Sequence, residues 1–310
     1  MKPLLLLLLA VFLVSTAALF AHRALAEAAP LAIAAWRLGL AAVFFAGWGA
    51  VKAAPARNKA QDSLETASVV PVAHIVWVRL VVAGLCLAGH FLVWFAALAE
   101  IPVARATLLV CTTPLWTTVG GVLLRRHRFT GTYGGAGVLA AVGIGLVTRA
   151  PVHSAHLSTL RGDGLATLGG VLFAVYLLSV EGLHKTLSSR RQVTVAYCVA
   201  ALVLWGGLAA RGGMTVRYSA PVWGALLGMT LGPQIVGHTL LNSLLRHFPS
   251  STIAFSLLLE PVIAAALAWA LLGQTITGGQ AVGGVLVMAA LALVIAGQTS
   301  GERVYDEAVG

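Results

Sequence analysis

Charge is what this sequence has least of. Of its 310 residues, 10% are Asp, Glu, Lys or Arg, and the acidic ones number only 10. A soluble domain of this size carries roughly a quarter charged residues. This chain cannot cover itself with polar surface, which excludes an ordinary soluble fold. Long polar stretches are missing too. The longest connection, KAAPARNKAQDSLETASVV from Lys52 to Val70, leaves nothing for a soluble domain. Cysteine is nearly absent. Cys86, Cys111 and Cys198 fall inside apolar runs without CxxC spacing, so they read as small buried residues. No HExxH occurs, and Asp163 in RGDG has no second aspartate in an apolar run beside it. Metalloprotease and intramembrane aspartyl protease chemistry therefore lack their residues, and no enzyme activity, metal or cofactor is expected. The net charge is +10, yet no basic patch is interleaved with aromatics, so nucleic acid is not an expected partner.

What is present is apolar. Hydrophobic residues make up 59% of the chain, with a mean hydropathy of +0.93. A membrane-spanning helix needs about 20 such residues. Ten runs qualify: 3–21, 30–50, 74–98, 102–124, 131–148, 163–183, 193–210, 221–243, 250–272 and 278–297. The first, with Lys2 ahead of it and ALA before Glu27, imitates a signal peptide. Its uncharged stretch from Pro3 to Ala21 is long for a signal and long enough to span, so an uncleaved helix is expected. With the N-terminus in the cytoplasm, alternation places 12 Lys and Arg residues inside and 5 outside, the bias of the positive-inside rule. Both termini are then cytoplasmic, and residues 298–310 form a polar tail expected to be disordered.

The chain repeats itself. IPVARATLLVCTTPLWTTVGGVLLRRHRFTGTYGGAGVL from Ile101 aligns without a gap on FPSSTIAFSLLLEPVIAAALAWALLGQTITGGQAVGGVL from Phe248. Pro102 matches Pro249 and Pro114 matches Pro261. Thr130-Gly131 matches Thr277-Gly278, and Gly89-His90 corresponds to Gly237-His238 with one residue of slippage. A unit of five spans is odd, so two copies insert with opposite orientation, the architecture of secondary carriers with a midplane site. The basic turn RRHRF against its uncharged twin GQTIT fits opposite insertion. The expected fold is all-α and integral to the membrane: ten transmembrane helices as two inverted five-helix repeats, 1–148 and 163–297, followed by the tail.

PLAIAAWRLGLAA in the second run, CTTPLWTTVGGVLL in the fourth and LLLEPVIAAALAWALLGQTITGGQAVGGVLVM across the last two carry a family likeness. The chain resembles the EamA-type branch of the drug/metabolite transporter superfamily, ten-span bacterial carriers, over nearly its whole length. It departs in one place. Such repeats commonly carry a glutamate in a GE turn after spans four and nine, where this chain has His127 and Gln274. The resemblance implies transport, often export, of small metabolites such as amino acids across the bacterial inner membrane, as a monomer or homodimer.

Polar residues deep in these runs are the candidate site, since an ionisable group near a span's centre costs at least about 2.5–3.5 kcal/mol. Glu260 lies near mid-bilayer and is the candidate proton carrier or substrate contact. Arg37 lies roughly 10 Å into span two at 1.5 Å per residue, as a cationic wall for anionic substrates or a lock between helices. His90 and His238 are candidate ligands or proton relays; since each follows a glycine, a close helix contact is the alternative. Trp94, Trp116 and Tyr176 are candidate cavity walls, while Trp77 reads as interfacial. Asn242 and Gln234 can hydrogen-bond a ligand or a neighbouring helix. Pro114 and Pro261 are expected to kink spans four and nine and to free the carbonyls near Val110 and Leu257. Arg79, Arg105 and Glu181 sit near span ends, where they can snorkel. A small-residue stripe, Gly137, Ala141 and Gly145, suits close packing of span five.

Overall fold

The computed structural model describes residues 2–53, 70–101, 103–124, 131–147, 157–213, 217–272 and 278–309. His127 and Gln274, the turn positions that depart from the family pattern, lie outside them, as do Pro102 and the side chain of Arg105. The described chain is helical, with no strand. Its elements are α1 (Lys2–Ser15), α2 (Ala17–Ala24), α3 (Pro30–Ala53), α4 (Val70–Glu100), α5 (Val103–Val110), α6 (Thr113–Leu123), α7 (Gly131–Val147), α8 (Leu157–Val180) and α9 (Ser189–Ala210). α10 (Ala220–Met229) continues as a π-helix (Thr230–His238) and then α11 (Thr239–Leu244). α12 (Ser250–Ser256) passes through a 3-10 turn (Leu257–Leu259) into α13 (Glu260–Leu272), and α14 (Gly278–Val309) closes the chain.

Among the described residues, five stretches are long and apolar enough to cross a membrane: Lys2–Ala24, Pro30–Trp48, His74–Glu100, Leu160–Lys185 and Ser189–Ala210. Ser250–Ile263 and Ala281–Val294 are shorter apolar helices. The outward face is apolar as well, with Leu123 at 77% exposure and Leu202 at 75%, which suits lipid rather than water. This is a multi-pass membrane protein. α14 does not stop at the end of its apolar run but remains helical through the polar tail. No proline interrupts it there, and its glycines alone do not end a helix.

The packing partners of the two halves of the chain exchange. α4 packs on α8 as α1 packs on the π-helix, while α3 pairs with α9, α6 with α12 and α7 with α14. The α7–α14 contact is set by a different stripe from the expected one. A Cβ at Gly137 or Gly145 would meet nothing within 4 Å, whereas one at Gly143 would lie 2.7 Å from the Gly283 carbonyl oxygen. Ala136, Ala140 and Gly143 are the buried face; α7 is rotated so that i, i+4, i+7 from Ala136 meets its neighbour.

Polar ties close the ends of the bundle. At one end Arg79 Nε donates to the Ser179 carbonyl at 2.9 Å and Nη2 donates to that of Glu181. Arg79 does not reach outward; it caps the C-terminus of α8, where carbonyls lack helical partners. Glu181 Oε1 accepts from the Ser250 N–H at 2.7 Å, tying α8 to the start of α12. At the opposite end Arg161 and Glu100 approach to 3.4 Å. There too, the Ser219 N–H and Oγ donate to the two Glu27 carboxylate oxygens at 2.8 and 2.5 Å.

Gly143→Leu should destabilise the fold by roughly 1–3 kcal/mol through overpacking, read as a lower melting temperature in detergent, while Gly137→Leu should be near neutral. The Ser219 bonds hold the Glu27 carboxyl below the usual carboxylate range. Its contribution is therefore present above the unfolded-state pKa and lost as pH falls through the lowered one. Glu27→Gln should lower the melting temperature at neutral pH, and the difference from wild type should fade in acid.

Candidate functional site

The site begins with two interruptions. The chain breaks between α5 and α6, and again between α12 and α13. The start of α5 at Val103 aligns with the start of α12 at Ser250, and the start of α6 at Thr113 with that of α13 at Glu260. Both prolines sit at the second residue of the following half-helix, where a missing N–H costs nothing. They start helices rather than kink continuous ones.

The freed carbonyls find partners inside the protein. Val110 O accepts from Thr113 Oγ1 at 2.7 Å. The same hydroxyl lies 3.3 Å from Gly170 O on α8. Leu257 O accepts from the Glu260 N–H within its own turn. It also faces Cys111 Sγ at 3.7 Å, a contact that joins one break to the other. The aligned residues Thr113 and Glu260 thus serve different ends. The hydroxyl is committed to backbone, and the carboxyl is left for the interior.

A cavity of about 40 Å³ opens beside this meeting point, lined by Arg37, His90, His238, Trp94, Glu260 and Thr113 among its polar or amphipathic groups. That is room for a few waters at about 10–15 Å³ each. Apolar walls come from α1, α5, α8 and α12, including Val14, Val110, Phe173 and Ala254. Five of the expected site residues therefore converge, from α3, α4, the π-helix and α13.

Arg37 is 0% exposed. Its Nε donates to Gln234 Oε1 at 2.7 Å, and its Cζ stands 4.0 Å from the centre of the Phe91 ring, a cation–π distance. Nη1 and Nη2 are buried without a hydrogen-bond partner among the described residues, as are Gln234 Nε2 and Trp94 Nε1. His90 Nδ1 is 2.9 Å from Gly169 O. Since a carbonyl only accepts, Nδ1 carries the proton and Nε2 is left as an acceptor. Phe91 separates the two imidazoles, 4.7 Å from His90 and 5.4 Å from His238 between ring centres. The close-contact reading of the Gly-His pairs fits the packing. A Cβ at Gly89 would meet Leu172 at 2.9 Å and one at Gly237 would meet Val14 at 2.9 Å, so close packing sets the histidines against the cavity.

The other expected residues stand away from the lining. Tyr176 OH donates to Asn242 Oδ1 at 3.4 Å, and Asn242 Nδ2 to Gln192 Oε1 at 3.4 Å. That network lies one layer behind Phe173, on which Tyr176 stacks at 5.5 Å. Trp116 Nε1 donates to Thr112 Oγ1 at 3.1 Å along its own helix. Pro114 and Pro261 shape the breaks without lining the cavity. Phe91, Phe173 and Cys111 do line it. Sequence reasoning passed over them because apolar residues in an apolar run carry no mark. Only the neighbours of Phe91 and Cys111, His90 and the Pro114 break, point their way.

The sequence model of the EamA-like transporter family matches residues 1–149 and 160–296. The chain belongs to the EamA-like transporter family. It is a membrane transporter of small molecules, with two copies of the family unit in one chain. A solved structure titled "Crystal structure of protein" superposes with a TM-score of 0.72 at 18% identity, covering 94% of this chain and 96% of that one. That likeness supports the fold alone. No curated protein matches.

Thr113→Val removes the hydroxyl that serves Val110 O and should cost about 1–3 kcal/mol, measured by thermal melting. Thr113→Ser, which keeps the hydroxyl, should recover most of it.

Proposed function

We propose that this EamA-family chain is a secondary active exporter of small polar metabolites, amino acids among them, across the bacterial inner membrane. The proposed architecture is ten spans in two inverted repeats, 1–148 and 163–297, with both termini cytoplasmic and the tail 298–310 beyond them. The symmetric exchange of packing partners and the aligned helix breaks support it. Discontinuous helices at matching places in two halves are the usual frame of a midplane substrate site.

One observation carries the reading. A carboxyl, a guanidinium and two imidazoles line a single interior cavity between the two breaks. A bilayer protein does not keep four ionisable groups together for packing alone, because each costs several kcal/mol to bury without a partner. Glu260 is the proposed proton-exchanging group. Its aligned counterpart Thr113 cannot titrate, so the coupling carboxyl belongs to the second repeat. His90, His238 and Arg37 share the cavity and set the field in which it titrates. Anionic or phosphorylated metabolites are a second reading, favoured by the two partnerless nitrogens of Arg37.

The test is flux of a metabolite panel into proteoliposomes under an imposed pH gradient. Glu260→Gln should lose accumulation against a concentration gradient while keeping equilibrium exchange. Unchanged gradient-driven accumulation in the variant overturns proton coupling through Glu260, and a panel in which nothing moves overturns transport of these metabolites.

A further inference from the structure

We infer that Arg37 anchors a carboxylate on the transported molecule, so the site takes small monocarboxylates and discriminates against their amides. This deepens the transport reading and rests on it.

Two sides of the guanidinium are accounted for. Nε is committed to Gln234 Oε1. One face is covered by Phe91. The remaining edge, Nη1 and Nη2, belongs to a residue with 0% exposure that lines the cavity, and neither nitrogen has a hydrogen-bond partner among the described residues. A guanidinium is permanently charged and donor-only. Its two terminal nitrogens are spaced to meet both oxygens of one carboxylate, the bidentate geometry that gives such pairs their strength.

The rest of the lining sharpens this. Trp94 Nε1 is a further buried donor without a partner on the same cavity, and an indole N–H cannot accept. Thr113 Oγ1 is bonded to Val110 O, and His90 Nδ1 to Gly169 O. Apart from the Glu260 carboxyl, the buried lining atoms left without a partner among the described residues, Arg37 Nη1 and Nη2 and Trp94 Nε1, are all donors. Glu260 on the same cavity sets a limit in the other direction. A phosphomonoester dianion would bring a second negative charge against that carboxyl in low dielectric, where repulsion is strong. One negative charge satisfies Arg37 without that conflict. A neutral amide offers one acceptor and adds donors, leaving the guanidinium charge uncompensated.

The test uses purified full-length protein in detergent and three acid–amide pairs: leucine with leucinamide, benzoate with benzamide, and lactate with lactamide. At least one acid should raise the melting temperature saturably, and its amide should not. Arg37→Lys keeps the charge but loses the fork, and should weaken the apparent affinity for that acid by about 10–100-fold, the range of a hydrogen bond to a charged group. Arg37→Gln should abolish the shift, and Trp94→Phe should weaken it less than Arg37→Lys. No shift with any acid, an amide that matches its acid, or a preference that survives in Arg37→Gln overturns the proposal. If Arg37→Gln does not fold, the acid–amide comparison on the native chain and Arg37→Lys still decide. Counterflow of the same compounds in proteoliposomes separates the two readings. Acids bound through Arg37 but not carried overturn transport and leave the anchor standing. Carriage with no preference for acids overturns the anchor and leaves transport standing.

Discussion

Inside a bilayer there is no water to meet a carbonyl that a helix gives up. Every feature of the site depends on how this chain answers that constraint. The breaks between α5 and α6 and between α12 and α13 free backbone acceptors inside the bundle, each worth several kcal/mol if left unmet. The protein meets them with its own short side chains and turns: the Thr113 hydroxyl for Val110 O, the Glu260 N–H and the Cys111 thiol for Leu257 O. Because the backbone is satisfied from within, no substrate or water is needed to hold the breaks open.

The same economy does not extend to Arg37. A buried guanidinium has five donors, and the protein supplies one hydrogen bond and one aromatic face. The difference from Arg79 is instructive. Arg79 takes two carbonyls at the end of α8 and joins helices. Arg37, deeper and fully enclosed, is left under-served. Two arginines in one apolar bundle thus divide between holding the structure together and facing its interior, and the partners of each show which is which.

Much of this was legible in the sequence, for particular reasons. Ten apolar runs became ten helical stretches because length and hydropathy are strong signals in a membrane chain. Five of them are long and apolar enough to cross by themselves. The gapless alignment of Ile101 on Phe248 pointed to an irregularity near each matched proline, though as a kink in a continuous helix rather than the start of a new one. Glu260, Arg37, His90, His238 and Trp94 stood out since ionisable and large polar groups are conspicuous among Leu and Ala. The misses have equally physical causes. Gly137, Ala141 and Gly145 form as good a stripe on paper as Ala136, Ala140 and Gly143, and only the rotation of α7 against α14 distinguishes them. Trp116 and Tyr176 have their polar atoms turned to Thr112 and Asn242 rather than to the cavity, a matter of rotamer and neighbour that spacing does not encode. The π-helix was not visible at all, because its residues, TLGPQIVGH, read as an ordinary apolar run with one proline.

That π-helix carries Gln234, which orients Arg37, and His238, which lines the cavity. Wider winding of this kind arises when a helix absorbs an extra residue without lengthening its path. Beyond it the helix has no such slack: deleting one residue between Thr239 and Leu241, where winding is α again, would swing everything that follows by about 100°, one residue's share of a 3.6-residue turn. Asn242 would leave Tyr176 and Gln192, although no side chain in the site had been altered. Span eight therefore tolerates substitution of its lipid-facing residues far better than a change in their number. In this stretch the count of residues is as much a determinant of the site as their chemistry.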